Sequence, residues 1–198
     1  DSTCRSRVWC GPGVLSVRAS DADFAVYTLD APSPRMVMEQ LATLIGRPPL
    51  PPLWALGFHQ SRYSYYPESE VRRIADEMRT RRIPCDALWL DIHYMRGNRS
   101  FTFDPDRFPD PAALIAHLHG RSLRTVVMID PGLKVDPDYH AYASGVENGA
   151  FVRDHTGREY RGEVWPGACA FPDYASAAVR SWWGDLYQPL ISLGIDGF

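Results

Sequence analysis

Asp91 stands in the run "ALWLDI", one carboxylate among apolar neighbours from Ala87 to Ile92. An ionised carboxylate in such a setting is costly unless it has hydrogen-bond or charge partners. It is therefore either satisfied by backbone N–H groups or an arginine such as Arg62 or Arg99, or it is kept for a ligand. If the strand persists, Asp91 and His93 share a face and His59 approaches from the preceding strand, which raises a His–Asp–His metal site. No fourth donor has matching spacing, so no metal is expected. His117 and His119 lie two apart on a helix and point different ways, as surface residues do. Tyr63, Tyr65, Tyr66, Tyr94 and Trp165 sit in loops rather than at periodic core positions. Flat rings beside a carboxylate suit carbohydrate, whose C–H face lies on the ring while its hydroxyls reach the carboxylate. Ordinary packing of loop aromatics is the competing reading for each ring.

The elements that must position these groups fit an ordinary globular composition, with 198 residues, 45% apolar and 23% charged. A net charge of −3 gives no reason to expect nucleic acid or an anionic membrane as partner. No apolar run has the length of a membrane span, no signal-peptide pattern is visible, and the compartment is undetermined. Cys4, Cys10, Cys85 and Cys169 lack zinc-ligand spacing; a Cys4–Cys10 disulfide is conceivable, and inert thiols are the preferred reading.

The first thirty residues read as β, with strands at Val14 to Ser20 and Asp23 to Asp30 around a "DAD" turn. Ser33 as cap and Pro34 in first position open a helix that Gly46 closes, and "RPPLPP" is a stiff connector. Strand and helix then alternate. Strands are expected at Leu53 to Phe58, Ala87 to Ile92 and Thr125 to Asp130, and helices after Pro67 and after Asp110. A longer excursion follows, with a short helix after Asp136 and a hairpin around "DHTG". A long helix disturbed near Pro189 comes next, and Ile195 to Phe198 would start a fourth strand. This alternation predicts an α/β fold of parallel βαβ units. Its spacing favours the first half of a (β/α)8 barrel, while a doubly wound sheet would need a Gly-rich phosphate loop that follows none of these strands. In a barrel, "GFHQSRYSYY", "LDIHYM" and "MIDPG" all face one mouth. Four strands cannot close, so the chain reads as part of a longer protein.

The segments "PPLWALGFHQSRYSYYPESEV", "LWLDIHYM", "FTFDPDRFPDP", "VVMIDPG" and "VWPGACAFPDY", in that order and spacing, resemble glycoside hydrolase family 31, the retaining α-glucosidases and α-xylosidases. The resemblance covers about residues 13 to 198. It implies three regions: residues 1–32 as the end of an N-terminal β-sandwich domain, 33–52 as linker helix and connector, and 53–198 as the first half of the catalytic TIM barrel. It implies that Asp91 hydrogen-bonds hydroxyls of the non-reducing-end sugar, that Trp165 lines the same subsite, and that Ile92 and Met128 form its apolar wall. Tyr63 falls where many members have Trp. The family's nucleophile motif, G-[F/M]-W-x-D-M-N-E-P, is matched at its first two positions by Gly197 and Phe198. Its catalytic Asp is thus expected three residues beyond Phe198, with the acid/base Asp later still.

The resemblance further implies hydrolysis of terminal α-linked glucose by double displacement, an oligosaccharide or glycoside substrate, no cofactor, and a need for the remainder of the barrel. An α-xylosidase, a glucosyltransferase or a non-catalytic sugar-binding relative are the alternatives. Departures from the commoner pattern are His93, where many eukaryotic members have a second Asp, a variation bacterial members also show, and "RGNRSF", which keeps only Gly97, Arg99 and Phe101 of the commoner D-G-Y-R-V-F. Arg96 in place of Asp changes the charge near the mouth, which bears on sugar preference more than on reaction type.

Overall fold

The computed structural model describes residues 6–19 and 25–198. They belong to two compact units, Asp1–Leu50 and Pro51–Phe198. In the first, β1 (Ser6–Gly11) and β2 (Val14–Ala19) pair antiparallel, from Ser6↔Ala19 to Gly11↔Val14. Pro12 fixes a negative φ and Gly13 takes φ +71°, the order a tight type II turn requires. The expected strand at Asp23 to Asp30 does not form over residues 25–30, and its first residues and the "DAD" turn lie outside the described residues. The partner of β2 is the upstream segment, joined to it by the two-residue loop Pro12–Gly13. Helix α1 (Pro34–Ile45) starts where Ser33 Oγ accepts from Met36 N at 3.4 Å, with Pro34 in its first turn.

The second unit is built on parallel strands β3 (His59–Gln60), β4 (Ala87–Leu90) and β5 (Arg124–Val127), side by side in that order. Helix α2 (Glu68–Thr80) connects the first pair and α3 (Pro111–Gly120) the second. Asp110 caps α3 through Ala113 N at 2.9 Å. Val71 and Ala75 of α2 and Leu114, Ile115 and Leu118 of α3 pack with Leu88, Leu90 and Val127 of the sheet in one buried cluster. Arg79, near the end of α2, donates to the carbonyls of Cys85, Arg121 and Ser122, tying the loops that lead into β4 and β5.

Leu53 to Phe58 does not form the expected strand. Leu53–Leu56 is a 3-10 turn, with Ala55 N donating to Pro52 O and Gly57 N to Trp54 O, and the strand begins at His59. Pro51 and Pro52 have no N–H for a sheet ladder, and a short apolar run alone does not distinguish strand from turn. The other two strands are also shorter than expected. β4 stops at Leu90 because Asp91 caps a 3-10 turn over Ile92–Tyr94, and β5 stops at Val127.

After β5 the chain enters an antiparallel sheet ordered β6 (Leu133–Lys134), β8 (Gly167–Ala170), β7 (Arg161–Val164). Helix α4 (His140–Glu147) lies within that excursion, and the bridge Arg153↔Glu159 closes the hairpin around "DHTG". The long helix is split into α5 (Ala177–Asp185) and α6 (Gln188–Leu193), with Pro189 in the first turn of α6, where its missing N–H is harmless. Gly194, at φ +100°, ends α6 in the left-handed conformation. Gly197 then bridges Val126 in parallel, so this segment runs along the free edge of β5.

Asp196 fastens that edge. Its carboxylate accepts from Thr125 N at 2.9 Å, Arg124 at 2.9 Å and His119 Nε2 at 2.8 Å. Burial favours the neutral acid, but these three donors outweigh it and hold the carboxyl below its ordinary value. A depressed carboxylate stabilises the fold above its unfolded pKa, and that stability is lost as pH falls through the lower folded value. Asp196→Asn is expected to cost about 1–3 kcal/mol at pH 7, the scale of hydrogen bonds to a charged group. In urea unfolding from pH 7 down to 2.5, the gap between wild type and variant should close below about pH 4. A gap that stays constant with pH would contradict this role.

Candidate functional site

The register of the parallel sheet places the candidate groups. Leu90 pairs with Val127, and Met128 N donates to Leu90 O at 3.0 Å, so Asp91 and Met128 follow side by side at the carboxyl ends of β4 and β5. Asp91, Ile92 and Met128 are all partly buried there. Asp91 Oδ1 accepts from Ile92 N at 2.7 Å, and this short reach holds the carboxylate at the sheet end. Among the described residues, neither Arg62 nor Arg99 pairs with it. Arg62 lies over the Tyr65 ring, 5.5 Å from its centre, and Arg99 binds Asp136. A carboxylate with this one backbone donor keeps free lone pairs for hydroxyl groups.

Tyr94 secures the platform beneath. Its ring is buried and its hydroxyl donates to Met128 O at 2.8 Å, bridging the ends of the two strands. Burial pushes the phenol far above its ordinary range, so it remains a neutral donor. Tyr94 is thus a core residue, not a ring offered to a ligand.

The continued strand expected through His93 is absent, because the 3-10 turn rotates His93 away from the alternation of a strand. His93 Nδ1 lies 2.7 Å from Ser64 Oγ; its ring stacks on Tyr66 at 4.8 Å and meets Tyr63 edge-on at 5.0 Å. Arg107 covers the Tyr66 ring at 5.1 Å. Tyr63 is 71% exposed. A concavity of about 560 Å³ opens here, lined by Tyr63, Tyr66, Glu70 and His93 among others. A larger hollow, about 800 Å³, runs along exposed α1 and contains none of the candidate residues.

His59 belongs elsewhere. It pairs with Ala87, at the opposite end of β4 from Asp91 and roughly 13 Å below it at about 3.3 Å per residue. Its Nδ1 accepts from Trp89 Nε1 and its Nε2 donates to Trp54 O, both at 3.1 Å, so both ring nitrogens are occupied. Among the described residues no three His, Cys, Asp or Glu side chains gather to hold a metal ion. His117 and His119 do point different ways, toward Asp76 and Asp196.

Trp165 is at the tip of the β7–β8 hairpin, beyond the last pair Val164↔Gly167. It is 42% exposed, and its Nε1–H donates to Asp130 Oδ2 at 2.5 Å. Sequence reasoning passed over Asp130, although it shows the cue that marked Asp91: a carboxylate closing an apolar strand run. It also missed the braces of the loop after β4. Arg99 pairs with Asp136, whose carboxyl this contact holds below its ordinary value. Lys134 Nζ reaches Gly97 O at 3.1 Å and Tyr139 donates to Ser100 O at 2.7 Å. Arg96 itself is exposed.

These features define an α/β protein of parallel strand–helix units with carboxylates and accessible rings at the carboxyl ends of its strands, where such folds place their sites. The family model described as "Glycosyl hydrolases family 31 TIM-barrel domain" matches residues 48–198, and the chain belongs to glycoside hydrolase family 31. It is 50% identical over 171 residues to "Alpha-glucosidase 2" of Bacillus thermoamyloliquefaciens, covering 86% of this chain and 22% of that protein. It is 38% identical over 184 residues to the α-glucosidase of Saccharolobus solfataricus, covering 93% and 26%. The crystal structure of a family 31 α-glucosidase from Bacteroides thetaiotaomicron superposes with a TM-score of 0.88 at 44% identity, over all of this chain and 34% of that one. The chain thus spans about a quarter of the length of these curated relatives and a third of that structure.

Tyr94→Phe removes the hydroxyl and leaves Met128 O without its donor. It is expected to destabilise the protein by about 1–2 kcal/mol, measured by chemical unfolding. No change in midpoint would show that the strand ends do not need this bridge.

Proposed function

We propose that this chain is part of a retaining, exo-acting glycoside hydrolase of α-glucosidase type, which releases terminal α-linked glucose from oligosaccharides. The observation that carries this reading is the Asp91 carboxylate, held at the end of β4 by one backbone N–H beside apolar Ile92 and Met128. A charged acceptor next to an apolar wall is the pairing that the hydroxyls and C–H face of a sugar call for. The family membership and the named activities of the relatives support the same substrate class.

In this reading residues 53–198 are the first half of a (β/α)8 barrel, 33–52 the linker, and 1–32 the end of a preceding β-sandwich. Asp91 binds hydroxyls of the terminal sugar, Trp165 and Tyr63 line it, and Ile92 and Met128 form its wall. The two catalytic carboxylates of this reading are expected beyond Phe198, where the family resemblance puts them. One attacks the anomeric carbon, the other protonates the leaving oxygen, and water then releases the covalent glycosyl-enzyme; retaining enzymes hold the two carboxyls about 5–5.5 Å apart. Asp91 contributes orientation, which acts on ground and transition states alike.

In the full-length protein, Asp91→Ala should lower kcat/KM for p-nitrophenyl α-glucoside by roughly two orders of magnitude, since two charge-assisted hydrogen bonds are removed. Activity within threefold of wild type would overturn the role. The 198 residues expressed alone should show no turnover of any α-glucoside. Measurable hydrolysis by the purified segment would place a catalytic carboxylate within it.

A further inference from the structure

Trp165 is carried by a hairpin that reaches the strand ends through two separate anchors. The first is the sheet, since β8 pairs with β6 through Leu133↔Ala170 and Lys134↔Cys169. That pairing folds the hairpin back over the segment just after β5. The second is the indole bond to Asp130, only three residues beyond Val127. Between the two anchors the turn packs closely: a Cβ built on Gly132 would lie 3.4 Å from Val164 Cγ2 and 3.4 Å from Cys169 Cβ. Backbone pairing fixes where the hairpin tip is, but it does not fix the rotamer of a side chain at the tip. At 42% exposure, part of the Trp165 surface is open to solvent and takes no part in selecting that rotamer. A carboxylate aimed at its sole polar atom can do so, because an N–H···O bond is directional and the charge strengthens it.

We infer that Asp130 is a positioning residue that sets the plane of the Trp165 indole, and that it acts on the sugar only through that ring. This rests on the sugar-binding role proposed above for Trp165. The carboxylate does not need to touch the substrate, and no proton changes hands. Its effect on turnover is that of a pre-set platform: the ring is already oriented when the sugar arrives, so less freedom is lost on binding. A platform that contacts ground and transition states equally is expected to move KM more than kcat.

The test is a double-mutant cycle in the full-length enzyme with p-nitrophenyl α-glucoside. D130A should raise KM by roughly tenfold, with kcat within about twofold, as expected for loss of one charge-assisted bond. D130N keeps an oxygen that can accept from the indole, and should recover most of the loss. In a Trp165→Phe background, D130A should add no further penalty, because a residue acting only through the indole has nothing left to act on. Penalties that multiply, or a fall in kcat with KM unmoved, would overturn the inference. If D130A does not fold, the same cycle is run with D130N, where coupling of about threefold is expected and independent effects would overturn it.

A readout free of activity accompanies the cycle. With 5-fluorotryptophan incorporated, the resonance missing in Trp165→Phe reports this ring, and Asp130 substitution should shift it. An unmoved resonance would also overturn the inference. Wild-type enzyme without turnover on α-glucosides would sink the glycosidase reading alone, and the fluorine shift would still decide whether Asp130 holds the indole.

Discussion

The parallel register of β3, β4 and β5 is the constraint on which the site depends. Pairing Leu90 with Val127 brings two strand ends together that are 37 residues apart in the chain. A slip of one residue would turn every side chain of a strand to the other face and carry Asp91 away from Met128. The register is held by burial on the helix side, where Leu88, Leu90 and Val127 meet α2 and α3. It is held at the ends by polar contacts: Tyr94 to Met128 O at one end, and Asp196 to Thr125 N at the other. The sheet is therefore closed by directional bonds on both sides of an apolar middle, and directional bonds resist slippage where packing alone is tolerant.

The rim is braced separately from the sheet. The loop after β4 is fastened to the excursion after β5 by Arg99–Asp136, Lys134–Gly97 and Tyr139–Ser100. Each contact joins segments more than thirty residues apart in the chain. Loops are ordinarily the mobile part of an α/β fold, and here charge-assisted and buried hydrogen bonds give two of them a fixed relation. One of these braces, Lys134 to Gly97 O, comes from β6, the strand that pairs with β8 of the Trp165 hairpin.

The ring cluster at Tyr63, Tyr66 and His93 shows how a departure from a family pattern can be absorbed. Where the resemblance expects a second Asp in many eukaryotic members, His93 brings a flat ring, and the structure gives it a stacking partner in Tyr66, an edge contact in Tyr63 and a hydrogen bond in Ser64. The substitution exchanges a charge for a packed aromatic surface beside a concavity.

Much of this was readable in the residues. Apolar runs alternating with capped amphipathic helices gave the parallel βαβ order, and Ser33, Gly46 and Asp110 marked helix ends, because caps are local physics. Asp91 stood out because a carboxylate in an apolar run needs a reason. The errors were also physical. Leu53 to Phe58 had the composition of a strand, but the prolines before it favoured a turn. His93 kept the alternation of a strand only on paper, because Asp91 accepts from Ile92 N and ends β4. Asp130 went unnoticed because its partner lies 35 residues away. Local periodicity and capping are written within a few neighbouring residues and so belong to the sequence. Which carboxylate faces a backbone N–H, which holds an indole, and which histidine is already bonded at both nitrogens depend on groups brought together only when the chain has folded.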